Sequence, residues 1–155
     1  MRMRLSILIL LGLLFLFFAC KSDKLYEEYK TIESSGWDQD SSAVFRFTID
    51  KTFLNYNIFV DIRNRGDYAN SNLWLFVDII APDFTCIHDT VEYQLALPNG
   101  KWVGKGTGGL FLNQFPFREN IYFPISGIYT ISIRQAMRNN PLIGISDIGI
   151  GVKRR

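Results

Sequence analysis

Alternation of apolar and polar residues with a period of two is the feature of this sequence that most constrains its fold. Apolar side chains occupy every second position in residues 45–49 and 58–62, with Phe59 as the exception. Residues 73–80 are almost entirely apolar. A period of two is typical of strands with one buried face, and a continuous apolar run is typical of a central strand. The sequence therefore predicts a domain built of β-strands.

Turn-forming sequences separate these runs and predict how the strands are arranged. Gly, Pro, Asn and Asp cluster in residues 64–67, 82–83, 98–100 and 106–109. About eight short strands, with a turn roughly every 8–12 residues, are typical of two packed antiparallel sheets. We therefore expect an all-β domain over residues 44–155, an antiparallel β-sandwich of immunoglobulin-like or jelly-roll-like type.

The second half of the domain contains three local signals. Tyr129 follows a turn and heads an alternating strand, as in a tyrosine corner, so its hydroxyl is expected to bond to upstream backbone. Gly149 and Gly151 lie on one face of the last strand, which predicts close approach of another backbone. Residues 135–139 are the one segment with helical character, and Pro141 ends it.

A short apolar segment opens the chain. Arg2 and Arg4 precede an apolar run over residues 5–18. As a helix this run would span about 21 Å, which is shorter than the roughly 30 Å hydrocarbon core of a bilayer. Residues 1–19 therefore predict a signal peptide rather than a membrane-spanning helix.

Cys20 follows this apolar run and is preceded by Ala19. The arrangement is similar to a bacterial lipobox, in which the cysteine sulfur is acylated and the chain is cut ahead of it, although Phe17 and Phe18 depart from the usual residues. Two or three acyl chains anchor a protein stably, whereas one chain binds only marginally. We expect a lipoprotein signal peptide and attachment to the lipid bilayer through acylated Cys20. An ordinary signal peptide and an uncleaved anchor are the alternatives. By analogy with the sorting of known lipoproteins, Lys21 after the cysteine favours the outer membrane, periplasmic face, over the inner membrane.

Residues 20–43 are rich in charge and serine and poor in apolar side chains. Such a composition buries little surface and predicts a charged tether between the anchor and the domain. Fully extended, this tether would reach about 75 Å. Tyr26, Tyr29 and Ile32 have helical spacing, which favours a short amphipathic turn, and Trp37 is expected to be the first residue fixed on the domain.

Charge and cysteine content exclude several classes of partner. The chain has 17 Lys and Arg against 15 Asp and Glu, and Arg2 and Arg4 lie in the leader, so the remaining body is formally neutral. Without a basic cluster the body cannot neutralise a run of phosphates, which excludes nucleic acid as the main partner. One His and two Cys give no set of structural zinc ligands. We expect neither a metal nor a cofactor.

Cys86, His88 and Asp89 form the cluster in which a nucleophile, a base and a carboxylate lie close together in sequence. Catalysis would need the thiolate and the imidazole within hydrogen-bond reach, together with an oxyanion hole. We interpret the segment as an exposed loop between two strands and expect the protein not to be an enzyme. Asp61 and Asp78, on the outer faces of strands, are expected to be solvated.

Exposed aromatic side chains are the remaining candidates for an interaction site. Trp74 lies on the opposite strand face from Leu73, and Trp102 follows a hairpin turn. If the second face of the central strand is uncovered, Phe59, Trp74 and Phe76 would form an apolar patch suited to a partner protein. Together with Trp102 they are the candidate interaction residues. Stacking of sugars on exposed aromatic rings is the alternative use.

Several short pieces of the sequence, taken together, are specific in their order and spacing. They are Tyr68, Tyr93 and residues 56–57, 63–64, 71–73, 89–90, 98–106, 123–127, 135–138 and 144–149. On these pieces the mature chain resembles the GldH family of gliding-motility lipoproteins, found in gliding bacteria that also carry the type IX secretion machinery. The resemblance runs from the lipobox at Cys20 through Trp37 almost to the last residue.

The resemblance implies a lipid-anchored accessory protein of gliding motility, linked to protein secretion and acting through contacts with proteins of the gliding or secretion apparatus. It supplies no catalytic residues. A β-sandwich module that binds an envelope glycan, motivated by the Trp and Tyr content, is the alternative function.

Overall fold

The computed structural model describes residues 23–155, which form nine β-strands in two antiparallel sheets. The signal peptide and Cys20 lie outside the described residues. The strands are β1 (Lys24–Thr31), β2 (Ala43–Ile49), β3 (Asn55–Arg65), β4 (Asn72–Ile80), β5 (Cys86–Gln94), β6 (Lys105–Thr107), β7 (Leu110–Tyr122), β8 (Gly127–Gln135) and β9 (Ile145–Arg154).

The two sheets confirm the predicted β-sandwich. The first sheet has the strand order β1-β9-β3-β7-β6, and the second has the order β2-β8-β4-β5. Strands that are neighbours in a sheet run antiparallel. The core between the sheets is formed by the inward side chains of the alternating strands, as the period of two predicts. Its aliphatic centre consists of Ile58, Val60, Ile62, Leu73, Leu75, Val77, Ile131, Ile133, Ile148 and Ile150.

The sandwich has two ends, which the strand register defines. At the end where β1 begins, which we call the proximal end, the chain makes the β2–β3, β4–β5 and β7–β8 connections. The Asp23 carbonyl accepts a hydrogen bond from the Arg154 amide there, at 2.8 Å. The opposite or distal end carries the β1–β2, β3–β4, β5–β6, β6–β7 and β8–β9 connections.

Part of the predicted tether is a strand of the first sheet. Lys24–Thr31 is β1 and pairs along its length with β9, so the expectation of a free tether over residues 20–43, and of an amphipathic turn within it, is wrong for this segment. The physical reason is that β1 is an edge strand whose two faces are both half-buried. Tyr26 packs its ring against Phe47, with the ring centroids 5.5 Å apart, while Tyr29 lies on the outer face. Trp37 is buried in the domain, but the expectation that it is the first residue fixed there is wrong, because β1 precedes it.

The three local signals had different outcomes. The Tyr129 hydroxyl donates a hydrogen bond to the Ile125 carbonyl at 3.0 Å, which confirms the tyrosine corner. A Cβ on Gly149 would lie 2.8 Å from the Tyr29 ring and 3.0 Å from the Glu28 carbonyl oxygen, which confirms a close approach there, while Gly151 has ordinary space. The predicted helix over residues 135–139 is wrong: Gln135 ends β8 and the following residues form bends. The Gln135 side chain instead bonds to the Asn139 carbonyl and to the Met137 amide, which holds this segment in a loop.

The described part of the chain contains no helix long and apolar enough to cross a membrane.

Candidate functional site

The outer face of the second sheet carries an exposed aromatic pair, and we call it the β4 face. It consists of Trp74, Phe76 and Asp78 of β4 with the adjacent Arg134 of β8 and His88 of β5. The alternation of β4 turns Leu73, Leu75 and Val77 inward and leaves Trp74 38% and Phe76 42% exposed. The second face of this central strand is therefore uncovered, the condition under which an apolar patch was expected.

Two side chains flank the aromatic pair. The Met137 sulfur accepts a hydrogen bond from the Trp74 amide at 3.3 Å, and the Arg134 guanidinium lies 5.9 Å from the centre of the Phe76 ring. A cation this close to an aromatic face is attracted to it, particularly when a partner excludes water. The patch thus combines apolar rings with one cation, a composition typical of the centre of a protein interface.

The other two candidate interaction residues lie elsewhere. Phe59 is on the outer face of the first sheet, where the Lys153 ammonium lies 4.7 Å from its ring centre. Trp102 is at the distal end, half-buried against Phe111 with the ring centroids 5.6 Å apart. The expectation of one patch containing Phe59, Trp74 and Phe76 is therefore wrong, because β3 and β4 belong to different sheets.

Cys86 and His88 lie on edge strand β5 rather than in a loop, and both side chains are exposed. The carboxylate beside His88 belongs to Asp78, with Nδ1 and Oδ1 2.7 Å apart, whereas Asp89 pairs with Arg118. Cys86 Sγ lies 3.9 Å from the same Nδ1. A nucleophile–imidazole–carboxylate relay needs a different ring nitrogen for each partner. Here Cys86 and Asp78 both lie beside Nδ1 of His88, so the arrangement does not match that relay.

A buried carboxylate lies on the outer face of the first sheet. Asp61 is fully buried, contrary to the expectation that it is solvated, because Tyr29 from β1 extends across Gly149 and covers it. Its carboxylate accepts hydrogen bonds from the Tyr29 hydroxyl at 3.3 Å and the Gln114 amide at 2.8 Å. Burial raises the pKa of Asp61, and the two hydrogen bonds oppose that shift. Asp78, which was also expected to be solvated, is partly covered on the β4 face, where it pairs with His88.

The proximal end carries apolar features that the sequence reasoning missed. Phe53 is 80%, Phe84 87% and Tyr122 67% exposed, and each lies in or beside a connection at this end. A cavity of about 310 Å³ lies between the β4–β5 and β7–β8 connections. It is lined mainly by apolar side chains, among them Ile79, Ile121 and Phe123. An aromatic residue inside a turn sequence, as in Pro82-Asp83-Phe84-Thr85, is the signal that could have identified this end.

The described residues contain no cluster of three or more His, Cys, Asp or Glu side chains arranged to hold a metal ion.

Comparison with known proteins identifies the family. The model of the GldH lipoprotein family matches residues 24–152, which begin and end inside the first and last strands of the sandwich. This chain belongs to the GldH lipoprotein family. A gliding motility lipoprotein GldH homolog of Christiangramia forsetii is 38% identical, covering 99% of this chain and 98% of the relative. The gliding motility lipoprotein GldH of Flavobacterium johnsoniae is 32% identical, covering 100% of this chain and 99% of the relative.

Membership of the GldH family makes the protein a gliding-motility lipoprotein, anchored by lipid in the cell envelope. Among solved structures, the VP2 subviral particle of infectious bursal disease virus matches with a TM-score of 0.37 and 13% identity, covering 88% of this chain and 31% of that one.

Proposed function

We propose that this GldH lipoprotein is a non-enzymatic accessory of gliding motility, linked to type IX protein secretion, that acts by binding a protein of that apparatus through the β4 face. The anchor is acylated Cys20, and the outer membrane, periplasmic face, is the proposed location. Family membership supports the gliding and lipid-anchored part of this function.

The exposed pair Trp74 and Phe76 is the observation that carries the proposal of protein contacts. Both rings lie side by side on an uncovered sheet face, although every second residue of the same strand is fully inside the core. A few residues near the centre of an interface, often large aromatic ones, dominate the binding energy, and truncating one of these costs about 2 kcal/mol or more. Arg134 and Asp78 supply polar groups around the rings, which would orient a partner.

A double substitution tests this proposal in gliding cells. Trp74→Ser with Phe76→Ser should abolish or strongly reduce colony spreading and surface secretion while the membrane-bound amount of the protein stays unchanged. Leu112→Ser is the matched control, because Leu112 is 41% exposed on the outer face of the other sheet. Normal gliding and secretion in the double variant would contradict a role of the β4 face.

Glycan binding is the alternative function of the same rings. Arg134 lies over the Phe76 ring, where a sugar would have to stack, and this favours a protein partner. Sedimentation of the protein with purified cell-wall glycan distinguishes the two functions. Co-sedimentation that the Trp74→Ser and Phe76→Ser variant loses, and Leu112→Ser keeps, would favour the glycan.

A further inference from the structure

Three aromatic side chains at the proximal end are far more exposed than any large apolar side chain described at the distal end. Phe53, Phe84 and Tyr122 are all at least 67% exposed. At the distal end, by contrast, none of the exposed large apolar side chains among the described residues exceeds 45%: Trp74, Leu97, Val103, Leu110, Leu112 and Ile143. Exposed aromatic rings gathered at one end of a domain indicate a surface that is covered in the working protein.

Phe84 occupies a position that disfavours a large side chain. It has a φ of 68° in the β4–β5 turn, a left-handed conformation that glycine or asparagine adopts most easily. Its amide bonds to the Ala81 carbonyl at 2.9 Å, and the Thr85 amide bonds to the Asp83 carboxylate at 3.0 Å, so the turn holds the ring outward. The ring makes no core contact that would offset either the exposure or the strain. This combination points to a binding partner outside the chain.

Charged residues of both signs lie at the same end of the sandwich as these rings. Four basic side chains and three acidic ones lie at this end: Lys24, Lys51, Arg154, Arg155, Asp23, Asp50 and Asp83. Exposed rings and charged groups at one end match the boundary between lipid headgroups and acyl chains, where Trp, Tyr and Phe are enriched and Lys and Arg meet phosphates.

The anchor reaches the same end. Cys20 precedes Asp23 by three residues, and Asp23 is fixed to the sheet by the bond between its carbonyl and the Arg154 amide. Three residues of extended chain span about 10 Å, so acyl chains on Cys20 would hold the proximal end at the headgroups.

We propose that the proximal end docks on the lipid bilayer, with Phe53, Phe84 and Tyr122 inserted at the boundary between headgroups and acyl chains. This inference rests on the acylation of Cys20 in the proposed function. The β2–β3, β4–β5 and β7–β8 connections then form a second membrane contact beside the acyl chains. The apolar cavity between the β4–β5 and β7–β8 connections faces the lipid. The β4 face, whose strands run away from the membrane, stays open to a protein partner.

Spin labels on the full-length lipidated protein test this docking. The protein, with Cys86→Ser, is reconstituted into vesicles of phosphatidylethanolamine and phosphatidylglycerol, and a single nitroxide is attached at Thr85→Cys or at Asn139→Cys. Thr85 is exposed beside Phe84, and Asn139 is exposed at the distal end. The Thr85 label should become accessible to oxygen and shielded from a water-soluble nickel chelate, at a depth of about 5–10 Å. The Asn139 label should stay accessible to the chelate.

A triple variant, Phe53→Ser, Phe84→Ser and Tyr122→Ser, should return the Thr85 label to water, whereas Leu97→Ser with Val103→Ser at the distal end should leave it embedded. A Thr85 label that is as accessible to the chelate as the Asn139 label, in protein that floats with the vesicles, would overturn the docking and leave the anchor intact. Protein that fails to float with the vesicles would contradict acylation of Cys20 and overturn the docking with it.

Discussion

The two ends of the sandwich differ in how far their most exposed aromatic residues project into solvent. At the distal end Trp37 and Tyr68 are buried, Trp37 bridges to Leu142 through the backbone, and Trp102 packs on Phe111. At the proximal end Phe53 and Phe84 project from their connections into solvent. The proximal end also buries aromatic rings, namely Phe47, Tyr56, Phe123 and Tyr129, so both ends close the core. Among the described residues, rings that are at least 67% exposed occur at the proximal end alone. Both ends therefore contribute to stability, and the proximal connections additionally present rings to a partner.

The largest expected difference between the ends concerns the free energy of unfolding. Trp37 is 1% exposed, and its indole N–H donates to the Ser41 carbonyl at 2.9 Å. Trp37→Ala should lower the free energy of unfolding by about 3–5 kcal/mol, because it removes a large buried ring. Phe53→Ala should change it by at most about 0.5 kcal/mol. Urea denaturation followed by circular dichroism measures both, and equal losses would contradict the assignment of Phe53 to an interaction surface rather than to the core.

The turn residues of the two ends should differ in backbone strain. Phe84 at the proximal end has a φ of 68°, and Gly100 at the distal end has a φ of 80° with no atom within 4 Å of an added Cβ. Relief of left-handed strain predicts that Phe84→Gly raises the free energy of unfolding in water by about 1 kcal/mol, and that Gly100→Phe lowers it by a similar amount. Thermal denaturation checks both signs. A loss of stability in Phe84→Gly would mean that the ring supports the fold.

The middle of the first sheet should respond to pH through Asp61. Burial raises the folded-state pKa of Asp61, so the stability that its protonated form contributes is present below the unfolded pKa and is lost as pH rises through the folded one. The Asp61→Asn side chain has no proton to lose, so the variant does not lose stability in this way as pH rises. The free energy of unfolding of the variant, relative to the natural chain, should therefore increase from about pH 4 to about pH 8. A difference that is constant over this range would contradict the raised pKa.

The smallest expected difference between the two ends is the response of a turn carboxylate to salt. Hydrogen bonds from Thr85 lower the pKa of Asp83 at the proximal end, and the Arg65 guanidinium lowers the pKa of Asp67 at the distal end. Both turns are stabilised above the ordinary Asp pKa and lose that contribution as pH falls through the lowered value. In an NMR titration, added salt should raise the pKa of Asp67, an exposed ion pair, more than that of Asp83. Equal responses would contradict the two causes.

The sequence predicted those parts of the fold whose pattern depends on neighbours along the chain. Residues 45–49 alternate clearly because β2 has one face in the core and one in water, and the tyrosine corner at Tyr129 was readable because its partner, Ile125, lies four residues away. In β1 the same pattern is absent, since both faces of this edge strand are half-buried. The helical spacing of Tyr26 and Tyr29 was therefore misleading.

The candidate site was less predictable because it depends on contacts between distant strands. The sequence identified Trp74 and Phe76 as neighbours on one strand face, but it could not show that Phe59 belongs to the other sheet. Burial of Asp61 depends on Tyr29, which lies 32 positions away and reaches the carboxylate only because Gly149 has no side chain. The outward ring of Phe84 depends on a backbone conformation that is unusual for phenylalanine.

Neutron reflectometry of the full-length lipidated protein on a supported bilayer of phosphatidylethanolamine and phosphatidylglycerol tests the position of the proximal end most directly. Because β1 begins at Lys24 and Asp23 is bonded to the sheet, only Lys21 and Ser22 lie between Cys20 and the first fixed residue. Protein density should therefore begin at the headgroups with no layer of water between the bilayer and the domain. A hydrated gap of several tens of ångströms, as a free tether of up to about 75 Å would produce, would contradict the folded β1 and the docked proximal end together.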